Sequence, residues 1–231
     1  MASKDYSEDA LIQAPTADFL AQQLGWETVF AQDEGGFGPD SLLGRVSDRE
    51  VVLSRDVMAA LRRLNPGLPE AAYAQALSVV LQDDATQSLV KMNEAKYRLL
   101  RDGVLVKVRD AAGKLVERRL RVIDFDTPTN NRYLAVRELW VRGSLWLRRP
   151  DIIGFVNGLP LVFIELKRFE VHVDSAYKKN YADYLDTMAP RRFVWNPTVR
   201  IPGRRRARWA CGQAAFEPVH MSTGRLPGAR I

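Results

Sequence analysis

The sequence predicts an α/β fold in which a mainly antiparallel mixed sheet is flanked by helices and carries a helical insertion. Three observations lead there. Helical periodicity runs through residues 48–101, two-residue alternation replaces it after Asp102-Gly103, and an apolar hairpin follows at 152–167 around Asn157-Gly158. In chain order, Ser7 with Glu8, Asp9 and the apolar positions Leu11, Ile12, Phe19, Leu20 and Leu24 reads as an N-capped helix with Pro15 as a kink or break, ended by Gly25-Trp26. Residues 32–45 hold Gly35, Gly36, Gly38, Pro39 and Gly44, a loop without phosphate-binding spacing. Helices are expected at 48–64, at 69–82 beyond Asn65-Pro66-Gly67, and at 86–101.

Alternating Val104, Val106 and Val108, a turn near 112–114, and then Val116, Leu120 and Val122 to Phe125 read as strands. Tyr133 to Val141, Ser144 to Leu147 and the hairpin continue the same sheet, and a last helix is expected at 174–188 with Tyr177, Tyr181 and Tyr184 at helical spacing.

Composition narrows the chemistry. The 231 residues are 46% hydrophobic, enough for one substantial core. No apolar run reaches membrane-spanning length and the first residues are too polar for a signal peptide, so the expected location is the cytoplasm, with no membrane partner. Cys211 is the only cysteine and His172 and His220 are the only histidines, so zinc clusters and Cys/His catalysis lack parts. A metal would have to be held by carboxylate oxygens, which points to Mg²⁺ or Mn²⁺. Residues 191–231 hold nine arginines, no lysine and one acid, a charge of +8 that leaves −2 on residues 1–190 of a +6 chain. The body is therefore not a basic protein, which argues against a free-standing DNA-binding module.

One stretch carries chemistry. Arg149-Pro-Asp151-Ile-Ile leads into the hairpin and Leu161-Val-Phe-Ile-Glu165-Leu-Lys167-Arg closes it. Glu165 and Lys167, two apart on a strand, project from one face, and Asp151 can reach them across the hairpin. Two carboxylates and an amine suit phosphodiester hydrolysis: Asp151 and Glu165 would bind Mg²⁺, and Lys167 would orient a water and stabilise charge on the phosphorane. The plainer reading is a surface ion pair at a hairpin end, worth at most about 1 kcal/mol.

The chain resembles the N-terminal nuclease region of the R subunit of type I restriction enzymes, a branch of the PD-(D/E)xK superfamily. Tyr6-Ser-Glu-Asp-Ala-Leu-Ile, Leu24-Gly-Trp-Glu, Asn130-Asn-Arg-Tyr and the 149–168 stretch carry the resemblance, which covers residues 5–190. It implies a restriction-endonuclease-like core, with Asp151, Glu165 and Lys167 as catalytic residues and Asp151 and Glu165 as Mg²⁺ ligands. It also implies double-stranded DNA as substrate and partner M and S subunits that choose the target. The family's Gln-x-x-x-Tyr motif is matched by Asn180 and Tyr184, whose other reading is helix surface and core packing. Glu8 sits where related nucleases place a helical acid, and equally where an acid complements a helix dipole. No Gly-x-x-x-x-Gly-Lys-Ser/Thr loop occurs, so ATP would enter only through motor domains absent from this chain.

Residues 1–190 are thus read as one nuclease domain with a helical insertion at 48–101. Residues 191–231 are read as an arginine-rich tail, disordered and either a phosphate-neutralising arm or, preferred, the product of a shifted reading frame. The alternative function is a catalytically inactive DNA-binding or assembly fragment of the R subunit. Hairpin parity supplies a geometric test. A strict two-residue turn pairs Asp151 with Ile164 and puts it on the face opposite Glu165, so a three-residue loop, or an equivalent one-residue bulge elsewhere in the hairpin, is expected.

Overall fold

The computed structural model describes residues 13–82, 86–87, 89–109, 113–143, 147–164 and 166, and the backbone of strands at 198–201 and 208–210. Helix α1 (Ala14–Leu24) carries Pro15 in its first turn, where a missing N–H costs nothing, and the part of the expected helix before Gln13 lies outside the described residues. Gly25 closes it at φ +68°, its N–H returning to Ala21 O. Strand β1 (Glu27–Phe30) follows, then a 3₁₀ turn at Ala31–Glu34.

Helix α2 (Ser54–Leu64) starts six residues later than the periodicity suggests, because Glu50 accepts from the N–H of Val46 and from both the N–H and hydroxyl of Ser54, holding 46–54 as a capped loop. Helices α3 (Glu70–Leu81) and α4 (Leu89–Asp102) lie where the spacing puts them. Strands β2 (Val104–Arg109) and β3 (Leu115–Leu120) form a sheet of their own and do not join the central one. Val104, Val106 and Val108 are spent on a core with Val57, Leu61, Ala76 and Val80 of α2 and α3. The strand expected at 122–125 is irregular, since the Asp124 carboxylate accepts from the backbone of Asp126 and Thr127 and bends the chain.

Among the described residues the central sheet has six strands in the order β1-β4-β7-β8-β9-β10. Strands β4 (Tyr133–Arg137), β7 (Ile152–Val156) and β8 (Leu159–Ile164) form its antiparallel middle; β1 joins β4 and β9 (Thr198–Ile201) joins β8 in parallel, and β10 (Arg208–Ala210) runs antiparallel to β9. Residues 198–201 and 208–210 therefore lie in strands, within a segment expected to have no regular structure. The expected strand Tyr133–Val141 is cut at Glu138, whose φ is +53°, and resumes as β5 (Val141–Arg142) paired with β6 (Leu147–Arg148).

Strand alternation divides the sheet's faces. Ala135, Ile152 and Ile164 gather with Leu166, Leu20 of α1 and Trp26. Leu134, Val136, Ile153, Phe155 and Phe163 gather with Leu43, Val51 and Leu53. A Cβ at Gly154 would stand 2.7 Å from the Trp26 ring, so glycine there lets the indole lie on the strand. The helix expected at 174–188 lies outside the described residues.

Candidate active site

Asp151 sits immediately before β7, after the buried Pro150. Its backbone oxygen accepts from the N–H of Glu138 at 2.9 Å, which ties the break after β4 to the start of β7. Its carboxylate is held from two directions. Gln13, at the start of α1, donates from Nε2 to Oδ1 at 3.1 Å, and the backbone N–H of Leu166 donates to Oδ2 at 2.5 Å. Asp151 is thus a positioned, half-buried acid where three separate parts of the chain meet, not a loose surface charge.

The hairpin reaches this geometry by a route other than the three-residue loop. Val156 pairs with Leu159 across a two-residue turn in which Asn157 and Gly158 have φ of +51° and +83°, the left-handed pair whose twist matches the flanking strands. The register then shifts between Gly154 and Phe155: Phe155 faces Pro160 while Gly154 faces Val162, leaving Leu161 as the extra residue. Pro160 has no N–H to give to a ladder and stands beside the irregularity. Beyond it Ile153 faces Phe163 and Ile152 faces Ile164, so Asp151 is not paired with Ile164. The one-residue irregularity expected between 151 and 165 is present, as a bulge in β8.

Gln13 is the site neighbour that sequence reasoning missed. Glu165 and Lys167, and the accessory candidates Glu8, Asn180 and Tyr184, lie outside the described residues. Among the described residues no cluster of three or more His, Cys, Asp or Glu side chains could hold a metal. The oxygens that are present, the Asp151 carboxylate and the Gln13 amide, are the hard donors that suit Mg²⁺ or Mn²⁺.

The other end of the hairpin is buried polar structure. Asn157 is 1% exposed; its Nδ2 donates to Val122 O and Asn131 Oδ1, and its Oδ1 accepts from Arg132 N–H and Arg63. Arg132 also joins Asp56 and Glu27. The Arg132 hydrogen bond holds the Glu27 carboxyl below its ordinary value. Burial pushes Asp56 up despite Arg132 and Arg55, so desolvation outweighs pairing there. Within the Asn130-Asn131-Arg132 signature, Asn131 and Arg132 thereby clamp the turn while Asn130 donates to Asp124.

A sequence model of the type I restriction enzyme R protein N terminus matches residues 5–207. The chain belongs to that family. It is 37% identical over 188 residues to the type I restriction enzyme HindI endonuclease subunit of Haemophilus influenzae, covering 78% of this chain and 17% of that protein. It is 26% identical over 126 residues to a provisionally named type I restriction enzyme MjaIXP endonuclease subunit of Methanocaldococcus jannaschii, covering 53% of this chain and 12% of that protein. The chain therefore spans under a fifth of either relative, and as an R-protein N terminus its match runs past residue 190, where the motif resemblance ended.

Proposed function

We propose that this chain is the nuclease part of a type I restriction R subunit, a PD-(D/E)xK domain that hydrolyses phosphodiester bonds of double-stranded DNA with Mg²⁺. The observation that carries the reading is the held carboxylate of Asp151 at the mouth of the hairpin. The bulge supports it, because it removes the pairing of Asp151 with Ile164 that a regular two-residue hairpin would impose. The bond from Leu166 N–H to Asp151 supports it too, since Ile164 and Leu166 flank position 165 in the chain.

In this mechanism Asp151 and Glu165 would hold the cation, and the Gln13 and Leu166 donors keep the Asp151 carboxylate from rotating as substrate arrives. The cation, when bound, supplies Lewis-acid polarisation of the phosphate and a water of lowered pKa. Lys167 orients the attacking water and stabilises charge on the pentavalent phosphorus as it develops. Nothing in this arrangement reads bases, so target choice falls to M and S partner subunits and the reaction to the cytoplasm where DNA is met. Among the described residues no helix is long and apolar enough to cross a membrane.

Plasmid cleavage by the 231-residue chain, alone and mixed with M and S subunits, tests the reading. Mg²⁺ should support cutting, Ca²⁺ should not, and Asp151→Asn should abolish cutting without lowering the melting temperature by more than a few degrees. Full Mg²⁺-dependent activity in Asp151→Asn would remove this site from the chemistry. DNA binding without cutting under every condition would favour a catalytically inactive assembly fragment.

A further inference from the structure

We infer that Gln13 belongs to the metal site: its Oε1 accepts a hydrogen bond from a water carried by the divalent cation that Asp151 binds. The inference rests on the metal-dependent reading above and adds to it a positioning residue from the start of α1.

Gln13 is 4% exposed, and its two amide atoms fare differently. Nε2 donates to Asp151 Oδ1 at 3.1 Å, whereas Oε1 is enclosed and has no hydrogen-bond donor. Buried side-chain oxygens almost always find a donor, so an orphan calls for a ligand or water that satisfies it. A leucine or methionine would fill the same space without stranding an oxygen. Because Oε1 and Nε2 share one planar amide, the bond from Nε2 to Oδ1 keeps Oε1 within a few ångströms of the same carboxylate. Mg²⁺ bound by one or two carboxylates keeps several waters, each a polarised donor pointing outward. An acceptor anchored to a ligating carboxylate is where such a water finds its partner, and outer partners of this kind commonly change metal affinity 10- to 100-fold.

The test titrates Mn²⁺ into the 231-residue chain and reads free Mn²⁺ by electron paramagnetic resonance, with a thermal melt of each variant. Wild type should bind Mn²⁺ and Asp151→Asn should not. Gln13→Leu should weaken binding about tenfold or more, with the melting temperature held or raised as the orphan is removed. Gln13→Glu keeps an acceptor and loses the donor, so it should bind Mn²⁺ at least as tightly as wild type. If Gln13→Leu loses its thermal transition, Gln13→Met, closer in shape, takes its place. Unchanged Mn²⁺ affinity in the leucine or methionine variant overturns the inference. So does equal weakening in Gln13→Glu, which would mean that Gln13 serves only by donating to Asp151. Absence of Asp151-dependent Mn²⁺ binding in wild type overturns both this inference and the metal reading beneath it, whereas Asp151-dependent binding indifferent to Gln13 overturns this one alone.

Discussion

Gly67 and Gly158 share a φ of +83° but not their surroundings, and the pair isolates what the hairpin tip contributes to the fold. A Cβ at Gly67 would meet nothing within 4 Å. At Gly158 it would stand 2.6 Å from Leu53 O, 2.8 Å from Asp56 Cβ and 2.9 Å from Val57 N, all fixed atoms of the start of α2. The tip is also bonded there, Leu53 N–H to Gly158 O at 2.9 Å. Gly67→Ala incurs only the left-handed penalty of about 1–2 kcal/mol, reduced by about 0.4–1 kcal/mol of lost unfolded-state freedom. About 0.5–1 kcal/mol should remain.

Gly158→Ala incurs the same and must also push the hairpin off α2, as overpacking does at about 1–3 kcal/mol. Its loss should total about 2–4 kcal/mol, or roughly 5–12 °C in Tm for a domain of this size. Urea unfolding of both variants, followed by far-ultraviolet circular dichroism, makes the comparison. Losses equal to within about 0.5 kcal/mol would show that the tip does not dock on α2, since the backbone penalty is common to both.

Removing Arg132 from its two acids should destabilise the protein by about 2–3 kcal/mol at pH 7, the lower range for a broken, partly buried pair. In Arg132→Met the deficit should narrow on acidification. Burial already raises Asp56 against the pull of Arg132, so without Arg132 its protonation stabilises the variant more than wild type, while the stabilisation from the depressed Glu27 in wild type fades as pH falls below its ordinary value toward its folded one. A pH-independent deficit between pH 7 and 4, by urea titration, would refute this. Asp124 is held below its ordinary value chiefly by Asn130, so its contribution is present above that value and lost as pH falls through the lower folded one; Asp124→Ala should flatten that acid limb. Lys96 is 5% exposed and donates from Nζ to Val80 O and Gln82 O at the end of α3. Lys96→Met should cost about 1.5–3 kcal/mol by urea unfolding, and a neutral result would make those carbonyl bonds dispensable.

What the sequence made legible was whatever one element signals by itself. Glu70–Leu81 and Leu89–Asp102 announce themselves by period, Gly25 and Gly103 mark ends with positive φ, and Asn157-Gly158 fits its turn type. What it hid was decided by partners far along the chain. Strand β1 has four residues, two of them exposed, and exists because Glu27 to Phe30 lie parallel on Leu134 to Arg137. The alternation of β2 is real, yet only its packing on α2 and α3 tells that it leaves the central sheet. Asp151 could be picked out because a carboxylate before an apolar strand is conspicuous. Gln13 could not, because an amide in a first helical turn is ordinary until the carboxylate it touches, 138 positions away, is known.

The hairpin joins these two kinds of information. Its side chains have a strict two-residue period, so a slip of one position would exchange the apolar set facing α1 with the set facing Leu43 and Leu53. Two devices oppose the slip. At the tip, Asn157 is bonded to Val122, Asn131, Arg132 and Arg63, and Gly158 is wedged on α2, so the turn cannot migrate along the strands. Further along, the bulge absorbs Leu161, whose side chain packs with the α2 and α3 core. A regular two-residue hairpin would have set Asp151 opposite Ile164. With the tip clamped and one residue taken up by the bulge, Ile152 takes that partner, and the acid falls at the strand's mouth within reach of Gln13 and Leu166. The placement of one carboxylate thus depends on a buried asparagine at the turn and an extra leucine in the opposite strand.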